Sequence, residues 1–121
     1  MNAGNLKRQA NADYYKKHIS NASITLPVVN IDASHVYHLF VISCTNRDVL
    51  KKYLESQNIE TAIHYPNALP FLNAYKQFGY TQADFPVSFE ATQHILSIPM
   101  FPELTHQQMD VVIKALNSFN A

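Results

Sequence analysis

Residues 35–43 read HVYHLFVIS, and this run limits the fold more than any other stretch of the chain. Side chains alternate across a strand, so Tyr37, Leu39 and Val41 fall on one face and His38, Phe40 and Ile42 on the other. Both faces are apolar apart from His38, which predicts a central strand covered on both sides. Such a strand needs other elements above and below it. The chain can supply them: its 121 residues are 47% apolar, with seven Phe and seven Tyr, and a domain of this size buries roughly two thirds of the surface exposed by its unfolded chain.

Helical spacing surrounds the strand. Residues 3–20 predict a helix with Leu6, Ala10, Tyr14 and Ile19 on one side. The turn-rich stretch 21–34 contains Pro27 and reads as a connection with a short edge strand at 24–26. After the central strand, Thr45 and Asp48 have capping-box spacing ahead of a helix that places Val49, Leu50, Tyr53 and Leu54 together. IETAIHY, 59–65, returns as a strand that Pro66 ends. A short helix over 70–78 stops at Gly79, and Asp84 is placed to cap the next one. Thr105 and Gln108 form a second capping-box pattern, opening a final helix with Met109, Val112, Ile113 and Leu116 at i, i+3, i+4, i+7. The expectation is one α/β domain, a sheet of about three strands packed with helices. The first two strands could be joined as a parallel crossover or as a split arrangement, and periodicity does not choose between them.

Nine basic residues balance nine acidic ones without long runs of either sign, which argues against a nucleic-acid partner. No segment approaches the ~20 apolar residues of a membrane span, and the N-terminal residues lack the apolar core of a signal peptide, so the expected location is the cytoplasm. Cys44 is the only cysteine and is read as structural. His35 and His38 have H-x-x-H spacing, but on a strand they point to opposite faces and cannot share a zinc ion. His38 is expected to be buried and bonded to a backbone carbonyl.

Three stretches in series, HVYHLFVI, IHYPNALPFLNAYKQFGY and DFPVSFEATQHILSIPMFPELTHQQMDVVIKAL, resemble the C-terminal small domain of the DegT/DnrJ/EryC1/StrS aminotransferases. These are fold-type I, pyridoxal-phosphate enzymes acting on nucleotide-linked sugars. The resemblance covers about 5–119 and implies a linking helix over 1–20 and a small domain over 21–121. In that family the Schiff-base lysine and the phosphate loop belong to a large domain preceding everything seen here. The seven lysines match no such motif, and Gly4 and Gly79 are too far apart to form a Gly-rich phosphate turn. The chain is therefore expected to hold no cofactor and to perform no transamination by itself.

The resemblance places His64, Tyr65 and Pro66 where family members meet the sugar nucleotide, with Tyr37 as a further candidate. His64 offers a hydrogen bond of either sense and Tyr65 an aromatic face with a hydroxyl. The alternative is that His64 ends a strand and Tyr65 packs under the next helix. Two kinds of partner are implied: a nucleotide diphosphate sugar, and either a second copy or a separate large-domain chain. A free-standing binding, dimerisation or regulatory module and a structural remnant remain open beside the aminotransferase reading.

Overall fold

The computed structural model describes residues 2–120, so Met1 and Ala121, at the outer ends of the expected 1–20 and 21–121 divisions, lie outside it. The order is α1 (Asn2–His18), β1 (Phe40–Ser43), α2 (Arg47–Ser56), two short 3-10 turns (Leu69–Phe71 and Asn73–Phe78), α3 (Pro86–His94), β2 (Ile95–Ile98) and α4 (His106–Ser118).

The sheet is smaller than the sequence predicts. β1 and β2 form an antiparallel pair, Phe40 opposite Ile98 and Ile42 opposite Leu96. Single bridges extend it on both flanks, Thr25 to Ser43 and Ala62 to Ser97. Residues 59–65 therefore contribute one bridge and not a ladder strand. Since β1 and the 62 segment both run antiparallel to β2, they are parallel to each other with β2 between them. The split arrangement is the one adopted.

The predicted strand over 35–43 begins only at Phe40 because Tyr37 has φ 49°, a left-handed conformation that no strand accommodates. His35 Nδ1 accepts the Tyr37 amide at 2.9 Å and fixes this turn. His38 is consequently exposed, against the buried state expected for it. The α2 boundary also differs, since Asn46 is its N-cap without a side-chain bond, and Asp48 pairs with Arg47 Nε at 2.6 Å instead of closing a box with Thr45. Val49 is exposed while Leu50 and Leu54 are buried. At the other end Asn58 takes φ 58°, and the amides of Ile59 and Asn58 bond to the carbonyls of Leu54 and Glu55 at 2.9 and 3.0 Å. This is a Schellman stop, with Asn58 as its left-handed residue.

The core lies on one face of the ladder. Phe40 and Ile98, and beside them Ile42 and Leu96, stand as cross-strand neighbours beneath Tyr15, Leu50, Leu54, Met109 and Leu116. α4 forms as its sequence predicts, with both halves of the Thr105–Gln108 capping box present and Met109, Val112, Ile113 and Leu116 buried. α1 turns a different stripe inward: Asn11, Ala12 and Tyr15, followed by Ile19, are buried, whereas Leu6 and Ala10 are exposed. Polar anchoring sets this rotation. Asn11 Nδ2 donates to the Phe101 carbonyl and the Tyr15 hydroxyl to the Pro99 carbonyl, each at 3.0 Å. Beyond them Tyr14 donates to Asp110 Oδ1 at 2.8 Å, and Asn117 joins the His18 carbonyl and the Ser20 amide.

Candidate functional site

Chain reversal after the outer sheet segment creates the candidate site. Ala62 and Ser97 exchange both backbone bonds, at 3.1 and 2.7 Å, which fixes the edge segment two residues before His64. His64 Nδ1 then lies 3.0 Å from Ser97 Oγ. Ser97 itself is buried and belongs to β2, so the imidazole is oriented from the rigid part of the sheet. The peptide bond from His64 to Tyr65 is cis. Tyr65 is 75% exposed and meets the His64 ring edge to face at 6.1 Å.

A groove of about 680 Å³ runs along this edge. Leu39, Ile59, Met100, Phe101 and Val111 make it mostly apolar, and His64, Ser97 and Thr61 supply polar groups. Thr61 Oγ1 is buried and has no hydrogen-bond partner among the described residues. Met100 packs against the core while Phe101 is 40% exposed, so the Pro99–Pro102 segment both closes the core and faces the groove.

Tyr37 stands elsewhere. It is buried, its ring stacks on Phe40 at 5.9 Å, and its hydroxyl accepts from Lys16 Nζ at 2.6 Å. The structure thus brings His64 and Tyr65 together and keeps Tyr37 within the α1 packing. Ser97 and Thr61 are the residues that sequence reasoning missed. Neither belongs to a recognisable motif, although alternation within 59–64 does separate Thr61 from His64.

The groove does not fit pyridoxal phosphate held by this chain's residues alone. Glu60 is the one carboxylate among the described residues that line it, and neither a lysine nor an arginine is among them, so no side chain here forms an imine with the cofactor and no lysine or arginine anchors its phosphate. Lys16 and Lys51 are engaged by Tyr37 and Glu55. Among the described residues no group of three metal-ligating side chains occurs, and no helix is long and apolar enough to cross a membrane.

A two-stranded antiparallel ladder flanked by bridges and packed with helices is the architecture that this chain shares with fold-type I aminotransferases. The family model described as the DegT/DnrJ/EryC1/StrS aminotransferase family matches residues 2–117, and the chain belongs to that family. It is 36% identical over 118 residues to the dTDP-3-amino-3,6-dideoxy-alpha-D-galactopyranose transaminase of Aneurinibacillus thermoaerophilus, covering 95% of this chain and 31% of the relative. A UDP-N-acetyl-3-dehydro-alpha-D-glucosamine 3-aminotransferase of Acidithiobacillus ferrooxidans is 34% identical over 103 residues, covering 84% and 27%. Among solved structures, S. venezuelae DesV in complex with a ketimine intermediate superposes with a TM-score of 0.89 at 30% identity, over 96% of this chain and 32% of that one. The chain spans about a third of the length of the relatives it matches.

Proposed function

We propose that this chain is the small domain of a nucleotide-sugar aminotransferase, with residues 1–20 as its linking helix and 21–121 as the domain proper, and that it contributes to sugar-nucleotide binding without catalysing transamination alone. The observation that carries the reading is the His64–Ser97 contact, which presents an oriented imidazole and an exposed tyrosine at the rim of a groove. His64 serves a phosphate or sugar oxygen as hydrogen-bond donor, and Tyr65 lies against the ligand's ring faces. The relatives are named for dTDP- and UDP-linked sugars, which supports a pyrimidine nucleotide as the carrier. Pyridoxal phosphate, when present in the family, supplies the electron sink for amino transfer; here its groups come from outside this chain. The reading places the protein in the cytoplasm.

An amide NMR titration with thymidine and uridine diphosphate sugars tests it. Saturable shifts centred on residues 62–69, lost in His64→Ala, are the expected result. No shift across the panel in a folded sample refutes ligand binding by this chain. A reducible imine with added pyridoxal phosphate, in stoichiometric yield at one lysine, refutes the separation of catalysis from this chain.

A second reading, association with another copy or with a large-domain chain, is favoured by the exposed Leu69, Tyr75, Phe78, Tyr80 and Val87. Sedimentation velocity decides it. A monomer across the accessible concentration range, together with no binding of a hydrophobic dye, removes this second reading.

A further inference from the structure

Ser97 carries a hydroxyl into the middle of the sheet, where a polar side chain needs a partner. β2 lies between β1 and the 62 segment, so the neighbours of Ser97 across the sheet are Val41 and Ala62, and neither side chain has an acceptor. The residue is only 5% exposed, which leaves it little access to water. Thr61 Oγ1, the other buried hydroxyl of the groove, is itself without a partner and so offers Ser97 none. His64 Nδ1, at 3.0 Å, is the one partner of Ser97 Oγ among the described residues.

That isolation fixes the sense of the bond. A serine hydroxyl has one proton and two lone pairs, whereas a neutral imidazole has one N–H and one bare nitrogen. If Nδ1 carried the proton, Ser97 would accept it and its own O–H would be left buried with no acceptor, at the full cost of desolvation. If Nδ1 is bare, Ser97 donates to it and both groups are satisfied. The second arrangement puts the ring proton on Nε2. This nitrogen has no partner among the described residues and is not buried, and His64 lines the groove.

We infer that Ser97 is a positioning residue that holds His64 as its Nε2–H tautomer, a committed hydrogen-bond donor to an oxygen of the ligand. A phosphate or carbonyl oxygen fits such a donor, and an ammonium group does not. The inference rests on the nucleotide-sugar reading above and adds the residue that sets the histidine's proton. It also separates His64 from proton abstraction, because a general base needs a free lone pair within reach of the proton it takes, and the ring's one lone pair is occupied by Ser97.

The test is a long-range ¹H–¹⁵N correlation of the His64 ring in the labelled 121-residue chain at pH about 8, where an ordinary histidine is neutral. His64→Gln identifies the signal. A protonated Nε2 and a bare Nδ1 are expected, with the Nε2–H signal moving saturably on addition of uridine diphosphate glucose. Ser97→Ala is expected to return the ring to the mixed tautomers of free histidine and to weaken binding about fivefold, since the ligand must then order a loosened side chain. Retained protection of the Ala62 amide shows that the sheet of this variant is intact. The wild-type tautomer decides even if the variant does not fold, because a proton on Nδ1 overturns the inference. An intact Ser97→Ala sheet with tautomer and affinity unchanged overturns it as well. A bare Nδ1 that is freed by Ser97→Ala, with no response to any thymidine or uridine diphosphate sugar, upholds the hold of Ser97 on His64 and overturns the nucleotide-sugar reading.

Discussion

Residues 95–119 and residues 65–91 are both rich in large apolar side chains, yet they fold to opposite ends of the burial scale. The first stretch buries Leu96, Ile98, Leu104, Met109, Val112, Ile113, Leu116 and Phe119. The second, with Phe71, Tyr75, Phe78, Tyr80, Phe85 and Phe89, contains no buried residue. Hydrophobicity is therefore not what separates them. α4 repeats its apolar residues at helical spacing, so one face reaches the sheet. The arm is built from two 3-10 turns and the short α3, and its rings meet one another, Tyr75 with Phe78, Phe78 with Tyr80 and Tyr80 with Phe85. The lesson is that the C-terminal stretch makes the domain while the arm leaves its apolar atoms outward.

The widest gap between the two regions should appear on ring deletion. Phe40→Ala removes a fully buried ring and is expected to cost about 3–5 kcal/mol, whereas Phe78→Ala, 57% exposed in the arm, should stay within about 0.5 kcal/mol. Urea unfolding of the two variants measures this directly. Equal losses would mean that the arm shares the core's cooperativity, and the comparison would fail.

Arg47 is the joint between the regions. Its Nη1 donates to the carbonyls of Thr92 and Ile95, both at 3.2 Å, where α3 ends and β2 begins. The guanidinium is nearly buried, at 11% side-chain exposure. Arg47→Ala is expected to cost about 2 kcal/mol, the scale of charged hydrogen bonds. Hydrogen exchange should locate the loss of protection in 86–95, with α4 unaffected. Uniform loss would show that the joint belongs to the core.

Capping gives a smaller contrast. Thr105 accepts the Gln108 amide at 3.3 Å and heads a helix that carries the core, so Thr105→Ala should cost about 1 kcal/mol. Asn46 makes no side-chain cap bond, and Asn46→Ala should cost measurably less by thermal unfolding.

How much of this was legible in the sequence follows the same division. α4 and its capping box were readable because local spacing and tertiary demand agree there. So was the Gly79 stop, which has φ 67°. The rotation of α1 was not, because Asn11 and Tyr15 face inward to bond carbonyls of residues 101 and 99, partners that no local pattern names. Nor was the shortened β1, because the left-handed turn at Tyr37 depends on His35 accepting its amide. Asp84 shows the same limit. It was expected to cap α3, but its carboxylate turns back to Thr81, and Phe85 is the N-cap. At the site, the family resemblance drew attention to His64 and Tyr65, and the structure supplied Ser97, whose side chain reaches His64 only through the edge bridge.

The mildest contrast is in pH response, where α1, bonded to residues 99 and 110 of the first region, and the arm should respond at opposite ends of the scale. In the core-side helix α1, the hydrogen bond to Asp110 raises the Tyr14 phenol, and burial pushes Tyr15 well above the ordinary tyrosine range. The folded chain therefore holds these protons more tightly than the unfolded one. That stabilisation is complete below pH about 10 and is lost as pH rises further, so unfolding should become easier in alkali. In the arm, the Asp84 carboxyl is held below its ordinary range by the Thr81 amide and hydroxyl. Its contribution is present above pH about 4 and disappears as pH falls through the lowered value. The Thr81 amide signal should titrate there while the signals of α4 stay still. If α4 moved with it, protonation in the arm would be felt by the core, and the two regions would be one unit after all.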